Sequence, residues 1–386
     1  MTRLQVGYCG PRLIVLVALM DVLLRLAPAG WRLYAPGERQ VSRRVLGDAF
    51  ERNLTLHEAG FGDLMRIANL RDGQEWRPMT FTTDASGFRS KPVEGPSAGI
   101  VFGDSFAYSG DNDEEALAAQ LGRRVGCGVY NGAGPVPEFE TPSAREVKSV
   151  TTRLGIQRGV VIVERVERLL VDRSYLAEAN ERDARAERMD WATRHVPGFD
   201  RLMVSADWLK RAYRTSSVEL AADETVRSLK NGKVLPNSFA GNVTPVALLN
   251  GDRMLFYPGE FRTYERSWPL RTEYWVQLDQ DLKKEGVQLL VVLVPNKFTV
   301  YHRLLATAPS VAVQPGELLS RLETDLRARG IPAVDVTPAL QAEAAKEYAQ
   351  GRYIYWREDT HWKARAVDVA AAEVERALRR LPPLCH

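Results

Sequence analysis

Five short apolar runs, separated by stretches with helical character, constrain this chain more than any other feature. They lie at residues 98–102, 127–130, 159–163, 287–294 and 333–336. Apolar runs rich in β-branched residues and separated by helices are typical of parallel strands buried on both faces of a sheet. The sequence therefore predicts an α/β fold with a five-stranded parallel sheet, helices on both faces, and ligands bound outside the carboxyl ends of the strands.

Two parts of the chain fall outside this alternation. Residues 31–96 show no repeated element and are interpreted as a linker and lead-in cap, and residues 97–386 are interpreted as the α/β domain. Within that domain, residues 165 to 285 interrupt the alternation and predict one large insertion. A length of 386 residues fits one domain with an insertion of this kind.

Residues 1–30 have the character of a targeting segment. Arg3 and Arg12 precede an apolar run over residues 13–24. A basic flank before a short apolar run predicts a signal anchor or, because residues 27–29 read Ala-Pro-Ala, a cleaved signal peptide. A buried N-terminal helix of a cytosolic domain is the third alternative. The anchor is a single-pass helix in the inner membrane, and both targeting alternatives place the globular part in the periplasm.

The composition argues against several classes of function. The 52 Lys and Arg residues against 49 Asp and Glu give a net charge of +3, too balanced for a nucleic-acid-binding surface. Cys9, Cys127 and Cys385 form no C-x-x-C pair, and no phosphate-binding or zinc-protease motif occurs, so neither a metal nor a cofactor is predicted. Cys127 and Cys385 either pair in an oxidising compartment or remain separate thiols.

The first chemical motif directly follows the first predicted strand. Gly103, Asp104 and Ser105 are followed there by Phe106. A small residue at the end of a strand permits a sharp turn, which leaves the serine at the top of the sheet, and a serine nucleophile needs a base within reach. Ala107 stands where the G-x-S-x-G elbow has its second glycine. The same residues also fit an ordinary helix N-cap.

The base for such a serine must come from five histidines. One of them, His361, follows Asp359 by two residues and opens the last predicted helix. Residues i and i+2 do not share a helix face, so the pair must lie on the turn before that helix. There Asp359 could orient the imidazole and stabilise its protonated form. A helix N-cap formed by Asp359 or Thr360 is the alternative.

Taken together, the two motifs resemble the SGNH, or GDSL, hydrolase superfamily over about residues 80–380. Within it, the chain is most similar to the membrane-anchored relatives of the alginate O-acetyltransferase branch, the AlgX- and AlgJ-like proteins. Residues 103–106 (GDSF) resemble the nucleophile block, and residues 359–362 (DTHW) resemble that branch's Asp-x-His-Trp signature. Three further segments also resemble the branch: 84–89 (DASGFR), 164–168 (ERVER) and 295–297 (PNK). The resemblance implies an SGNH-type, flavodoxin-like fold.

The resemblance also implies roles for single residues. Ser105 is the nucleophile, His361 the general base and Asp359 the residue that orients it. This chain departs from the family pattern in two ways. The superfamily's Gly-x-Asn-Asp block is absent after the third strand. In the alginate proteins the Asp-x-His block precedes the serine block, whereas here it follows it. The oxyanion and substrate are expected to be held by the loop after the second strand, through either Gly132 or Gly134, and by other residues: Asn131, Arg168, Lys297 and Trp362.

The function implied is serine-dependent transfer of an acetyl group to hydroxyls of a cell-envelope or secreted polysaccharide. Two alternatives remain open: an extracytoplasmic acetylesterase with the same triad, and a non-catalytic glycan-binding scaffold of an export complex. A membrane protein that exports acetyl groups is the partner implied by the resemblance.

Overall fold

The computed structural model describes residues 15–16, 18–20, 50, 52–53, 55–60, 62–68, 75–89, 97–156, 159–171, 173–199, 243 and 245–382. Apart from five helical residues between 15 and 20, the targeting segment predicted over residues 1–30 lies outside this set. Within these ranges, no helix is both long and apolar enough to cross a membrane.

The strands number nine within the described ranges. In chain order they are β1 (Thr55–Gly60), β2 (Arg77–Thr82), β3 (Ser97–Phe102), β4 (Gly128–Asn131), β5 (Val160–Val166), β6 (Pro245–Ala247), β7 (Arg253–Leu255), β8 (Gln288–Val294) and β9 (Ala333–Asp335).

The helices of the same ranges, leaving out short 3₁₀ turns, are twelve. In chain order they are α1 (Asp63–Ala68), α2 (Ser105–Tyr108), α3 (Leu117–Val125), α4 (Pro137–Glu140), α5 (Ala144–Arg153), α6 (Tyr175–His195), α7 (Pro258–Phe261), α8 (Glu273–Lys284), α9 (Lys297–Tyr301), α10 (Glu317–Ala328), α11 (Thr337–Tyr348) and α12 (Ala364–Leu378).

The central sheet has the five parallel strands predicted from the sequence. Its spatial order is β4-β3-β5-β8-β9, and each neighbouring pair is parallel. The chain moves from β3 outward to β4 and then crosses back to β5 on the other side of β3. Ligands bind at such a switch point, beyond the carboxyl ends of the two strands. The residues that follow β3 and β5 therefore face the same crevice.

Two apolar layers cover the two faces of this sheet. Helices α3, α11 and α12 contribute the buried side chains of one layer, and α5, α8 and α10 those of the other. Successive residues of a strand point to opposite faces, so Ile162 of β5 belongs to the first layer and Val161 and Val163 to the second. All seven residues of β5 are buried, which accounts for its nearly continuous apolar sequence.

The lead-in cap is more regular than the sequence indicated. Strands β1 and β2 pair antiparallel in register from Thr55 opposite Thr82 to Gly60 opposite Arg77, and α1 lies between them in the chain. Phe81 is buried in the same apolar layer as helices α5, α8 and α10. The interpretation of residues 31–96 as irregular is therefore wrong for the described part, which is a folded extension of the domain.

The predicted insertion between β5 and β8 contains one long helix and one small strand pair. Helix α6 has 21 residues, most of them partly or fully exposed, and β6 pairs antiparallel with β7. The amide of Leu255 in β7 donates to the carbonyl of Arg357 at 2.8 Å, which places this strand pair beside the turn that carries His361. Residues 200–242 of the insertion lie outside the described set.

Candidate active site

The turn after β3 is shaped by Asp104, which caps α2. One oxygen of its carboxylate accepts the Phe106 amide at 3.0 Å, and the other accepts the Val166 amide of β5 at 3.0 Å. Ser105 is the first residue of α2 and is partly exposed. A Cβ atom at Gly103 would come within 2.6 Å of a Glu164 oxygen, so the close approach of β3 and β5 requires glycine there. Asp104 thus fixes the serine at the switch point.

Asp359 and His361 form a hydrogen-bonded pair on the turn before α12. His361 Nδ1 lies 2.7 Å from Asp359 Oδ1, and the same oxygen accepts the His361 amide at 3.0 Å. Burial acts to raise the pKa of Asp359, but the His361 imidazole and the Arg77 guanidinium outweigh it and hold this pKa well below its usual range. Burial acts to lower the pKa of His361, but the carboxylates of Asp359 and Asp63 outweigh it and raise this pKa.

Packing brings this pair to the helix that Ser105 opens. The rings of Phe106 and His361 are 5.1 Å apart, and Trp362 Nε1 donates to the Phe106 carbonyl at 3.1 Å. His361 Nε2, the nitrogen opposite the bond to Asp359, is buried without a hydrogen-bond partner in the described part of the chain. A nitrogen in this position can accept a proton from a nearby hydroxyl.

Several donors at the carboxyl ends of β3 and β4 have no acceptor among the described residues. The amide of Ser105 makes no hydrogen bond to any described residue, as is common in the first turn of a helix. Asn131, at the end of β4, accepts the Ala133 amide at 3.2 Å through Oδ1, but its Nδ2 is buried and without a partner among the described residues. Gly134 is buried, and no described backbone carbonyl accepts its amide. Such unused donors are what an oxyanion requires.

The prediction for Gly132 is wrong. Its amide donates to the Val101 carbonyl at 2.8 Å and therefore continues the pairing of β4 with β3. A Cβ at this position would lie 2.7 Å from the Ile100 side chain, which explains the glycine through packing. Of the two glycines that the sequence left open, Gly134 is the one whose amide remains available.

Arg168 follows β5 and lies over the same crevice. Its guanidinium carbon is 5.2 Å from the centre of the Phe106 ring and 5.6 Å from that of Tyr257. The backbone is held by Asn296, whose Oδ1 accepts the Arg168 amide at 3.2 Å. Its Nη1 atom is buried and has no hydrogen-bond partner within the described ranges. Arg168 therefore presents a positive charge, with donors to spare, beside α2.

A cavity of about 510 Å³ extends from this crevice toward the insertion. Arg168, Arg173 and Arg262 contribute positive charge to its lining, and Tyr257 contributes an aromatic ring. Asp63 and Thr360 lie at the side near His361. A cavity of this size and charge suits a polar, negatively charged ligand.

The comparisons with known proteins find a family match over the part of the chain that contains the histidine pair. Residues 249–386 match the family described as "SGNH hydrolase-like domain, acetyltransferase AlgX". Over these residues the chain is similar to that family. The match includes Asp359 and His361 and confirms the resemblance read from the sequence. Ser105 lies outside the matched residues, so its role rests on its motif and on its position.

Two relatives are named for alginate chemistry. "Probable alginate O-acetylase AlgJ" of Pseudomonas fluorescens is 24% identical over 205 residues, which are 50% of this chain and 49% of that protein. "Alginate biosynthesis protein AlgX" of Pseudomonas putida is 26% identical over 144 residues, 36% of this chain and 30% of that protein. The chain thus spans about half the length of the first relative and less than a third of the second.

Among solved structures, one match is a protein described as lipolytic and of the G-D-S-L family, from Desulfitobacterium hafniense. It is 10% identical, with a TM-score of 0.31, and the match covers 72% of this chain and 98% of that one. With a score this low, the match carries no argument about this chain.

Two side chains predicted to contact substrate have other tasks in this domain. Lys297 is fully buried, and its ammonium donates to the carbonyls of Asp359 at 2.7 Å and Trp356 at 3.1 Å. Trp362 is only 1% exposed and bonds to the backbone of Phe106. The predictions placed both residues at the substrate, whereas neither side chain reaches solvent in this structure. Lys297 supports the turn of the histidine pair from beneath, and Trp362 ties that turn to α2.

The sequence did not predict the cap residues that lie beside the histidine pair. Arg77 of β2 donates to Asp359 Oδ2 at 2.7 Å, and Asp63 of α1 accepts the Thr360 amide at 2.7 Å. About 280 to 300 residues separate these partners in the chain, so no local pattern could have joined them. Asp63, Asp359 and His361 have ligand atoms within 4.8 Å of one another. Their oxygens already accept hydrogen bonds from His361, Thr360 and Arg77, and we assign no metal to them.

A buried charge network beneath Ser105 was also missed. Glu164 Oε2 accepts the Asp104 amide at 3.2 Å, and Arg165 lies 3.5 Å from Asp104 and 3.2 Å from Glu140. Burial, reinforced by the charge of Asp104, raises the pKa of Glu164 well above its usual range. Glu164 and Arg165 both belong to β5 and are fully buried. The sequence did contain a sign of this network, since Glu164 and Arg165 directly follow the apolar run at residues 159–163. Charged residues at such a place are rarely buried without a partner.

Proposed function

We propose that this chain transfers an acetyl group to hydroxyls of a polysaccharide through an acetyl-enzyme formed on Ser105. The observation that carries the proposal is the arrangement of His361. Its Nδ1 is hydrogen-bonded to Asp359, its Nε2 has no partner among the described residues, and its ring packs against Phe106 of α2. The SGNH hydrolase-like match and the relatives named as acetyltransferase or O-acetylase support the reaction class.

The first half of the reaction loads the serine. Ser105 Oγ forms a bond to the acetyl carbonyl carbon of the donor while its proton passes to His361 Nε2. The imidazolium is stabilised by Asp359, which keeps its negative charge because its pKa is low. The bond from the carbonyl carbon to the donor's leaving atom then breaks, and His361 returns the proton to that atom.

The second half transfers the acetyl group to the acceptor. A sugar hydroxyl gives its proton to His361 Nε2 as its oxygen forms a bond to the acetyl carbon. The bond from that carbon to Ser105 Oγ breaks, and the proton returns to the serine. In both halves the carbonyl oxygen becomes an oxyanion.

The donors near α2 would hold this oxyanion. They are the Ser105 amide, the Gly134 amide, the Asn131 side-chain amide and the Arg168 guanidinium. Asn131 follows the second strand, whereas the superfamily's asparagine block follows the third, so it would serve from the neighbouring position. Removing one such donor typically raises the barrier by about 2.7–4 kcal/mol.

The acceptor is proposed to be an acidic polysaccharide bound in the 510 Å³ cavity. Guanidinium groups pair with carboxylates in a two-point geometry, and the cavity has three arginines in its lining. Tyr257 could pack against a sugar ring. The relatives' names, which refer to alginate, agree with a carboxylate-bearing sugar.

We further propose a periplasmic location, with a single-pass anchor in the inner membrane and a membrane protein that supplies acetyl groups as the partner. The basic and apolar pattern of residues 1–30 supports the anchor. Cys127 is disulfide-bonded, and the two other cysteines, Cys9 and Cys385, lie outside the described residues. A disulfide is typical of an oxidising compartment, which supports the location.

An acetylesterase is the second candidate, because the His361 side chain remains 21% exposed. Water that reaches His361 could replace the sugar hydroxyl in the second half of the reaction.

The test compares the full chain with Ser105→Ala and with Ser109→Ala, which changes a serine at the other end of α2. Release of p-nitrophenol from p-nitrophenyl acetate is measured with and without acidic oligosaccharides, and products are weighed by mass spectrometry. The proposal expects acetylated sugar from the wild type and from Ser109→Ala, and none from Ser105→Ala. Serine-dependent release of free acetate alone would favour the esterase. Equal release by all three proteins would overturn the assignment of Ser105 and leave a binding scaffold.

A further inference from the structure

The turn that carries the histidine pair is covered by two stretches of the lead-in cap, residues 62–65 and 75–77, called here the cap clamp. Glu75 and Glu358 bond reciprocally, each amide donating to the other's carboxylate, at 3.2 and 3.1 Å. The Met65 amide donates to the Glu358 carbonyl at 3.3 Å. A Cβ at Gly62 would lie 2.0 Å from that carbonyl oxygen, so the two backbones are in direct contact. The clamp is thus built against the turn.

Arg77 holds the oxygen of Asp359 that His361 leaves free. His361 Nδ1 lies 2.7 Å from Oδ1, whereas Arg77 Nη2 donates to Oδ2 at 2.7 Å. The guanidinium is itself fixed, because its Nε donates to Asp111 at 2.7 Å and its carbon lies 4.0 Å from the centre of the Trp356 ring. A carboxylate bound through both oxygens cannot rotate away from the imidazole.

Asp63 approaches the same imidazole from the other stretch of the clamp. Its two oxygens accept the amide and the hydroxyl of Thr360 at 2.7 and 2.6 Å. One of them also lies 3.9 Å from His361 Nδ1. The clamp therefore places one positive and one negative group beside the pair, and neither belongs to the residues matched to the SGNH hydrolase-like family.

We propose that Arg77 and Asp63 are positioning residues, which fix the orientation and basicity of His361, so that the lead-in cap is part of the active site. The inference rests on the proposed function of His361 as a base. The two residues have opposite effects on the pKa of His361. The positive charge of Arg77 offsets the negative charge of Asp359, whereas Asp63 adds a negative charge near the imidazole.

Other charges also face His361 or its partner. Asp359 comes from the same turn, Arg168 from the end of β5 and Lys297 from α9 beneath the turn. These groups stay in place when the clamp residues are changed. Loss of the Arg77 charge is expected to stabilise the imidazolium and raise the pKa of His361. Loss of the Asp63 charge is expected to lower it.

The experiment uses the full chain with Arg77→Met, Asp63→Asn and the charge-keeping Arg77→Lys. His57→Gln is the matched control, since His57 lies on the same cap, is exposed and bonds to Thr80 rather than to the turn. The titration of His361 is followed by NMR with labelled histidine, and its signal is assigned by its absence in His361→Gln. The pH profile of kcat/KM is measured on the same samples, after circular dichroism has shown that each variant is folded.

In Arg77→Met, we expect the midpoint of the His361 titration and the acid limb of the kcat/KM profile to move to higher pH. In Asp63→Asn, we expect both to move to lower pH. Arg77→Lys and the control are expected to remain near the wild type. The plateau of kcat/KM at high pH should fall about 10- to 100-fold in Arg77→Met. Loss of a general base itself typically costs about 10²–10⁴-fold, so a positioning residue should cost less.

Shifts in the same direction for both variants, or no shift in either, would overturn the inference, because loosening of the turn without a charge effect gives those results. Opposite shifts in the NMR titration together with full activity of Ser105→Ala would show that the clamp acts on His361, but would reject the proposed function and with it the place of the cap in the active site. If Arg77→Met does not fold, the near-isosteric Asp63→Asn decides by the direction of its shift alone.

Discussion

The carboxylate of Asp359 divides its two oxygens between His361 and Arg77. Its pKa lies well below the usual range, while that of His361 lies above its ordinary value. Between pH 3.8 and 6.5 the native pair is therefore an ion pair, and in its proposed role as a base the imidazole must first lose its proton. The charge arrangement that orients the histidine also sets the pH at which it can work.

This arrangement predicts the pH dependence of activity. Since the base must be neutral, kcat/KM should fall as pH is lowered through the raised pKa of His361, with the acid limb above 6.5. A kcat/KM profile in buffers of constant ionic strength measures it. An acid limb below 6.5 would contradict the raised pKa.

Stability should respond to the same two groups in opposite senses. The raised pKa of His361 contributes stability that is fully present below its unfolded value of 6.5 and lost as pH rises through the folded value. The lowered pKa of Asp359 contributes stability that is present above its unfolded value of 3.8 and lost as pH falls through the folded one.

Lys297 offers a second prediction at this scale. The Lys297 ammonium donates to three backbone carbonyls in the turn, those of Trp356, Arg357 and Asp359. Lys297→Met removes these hydrogen bonds and should lower the free energy of unfolding by about 1–3 kcal/mol. Burial lowers the pKa of Lys297 from 10.5 to about 8, so wild-type stability should rise between those pH values, because the unfolded chain binds the proton more tightly. The variant should lack that rise.

Denaturant unfolding on both sides of this pH range checks the two effects of Lys297→Met. The matched control is Lys148→Met, since Lys148 is 63% exposed and pairs with Glu285 on the surface. Surface changes of this kind usually stay within about 0.5 kcal/mol. Equal stability of the two variants would show that the buried ammonium does not support the turn.

The residues of the site were only partly predictable. Ser105, Asp359 and His361 stand in motifs whose spacing is visible in the chain, and the structure brings their segments together. Lys297 and Trp362 were placed at the substrate because they stand in segments that resemble the alginate O-acetyltransferase branch, and such a resemblance does not show how deeply a side chain is buried. Arg77 and Asp63 act only through contacts across the whole chain.

At the scale of elements, the sheet was predictable because buried parallel strands are written as apolar runs. Strand β5 extends to Val166, three residues beyond its predicted end at 163, because residues 164–166 continue the pairing with β8. The two charged side chains there have partners inside the protein, since Glu164 accepts the Asp104 amide and Arg165 pairs with the Asp104 carboxylate. Helix α11 was not predicted at all. Its buried positions are Thr337, Leu340 and Ala344, and two of these are too small or polar to give a clear apolar stripe.

The contact between the cap and the histidine turn gives a prediction about backbone shape. Gly62→Ala would place a methyl group 2.0 Å from the Glu358 carbonyl oxygen, so the turn must move and activity should fall about tenfold or more. Steady-state kinetics on p-nitrophenyl acetate measures the loss.

The control for Gly62→Ala is Gly122→Ala in α3, where the new Cβ would lie 3.4 Å from its nearest neighbour, an ordinary contact. Alanine is also the better helix former at that position, by about 1 kcal/mol. Full activity of Gly62→Ala, with the stability of the wild type, would mean that the cap can retreat without disturbing the turn.

At the scale of the whole molecule, the protection of the backbone should follow the two apolar layers. The amides of β5 and β8 are covered on both faces and should exchange with deuterium more slowly than those of any other described strand. The β6–β7 pair has exposed residues in both strands and should exchange much faster. Hydrogen exchange followed by mass spectrometry of peptides tests this order, and early exchange in β8 would contradict the two-layer core.

The distance along the chain between the parts of the site has a consequence for biosynthesis. Ser105 leaves the ribosome roughly 250 residues before His361 does, and the cap waits even longer for the turn that it covers. Under the proposed function, a nascent or truncated polypeptide would carry the serine without its base and would not react with an acetyl donor. Acetyl transfer would begin only after the final residues of the domain have been made and have docked.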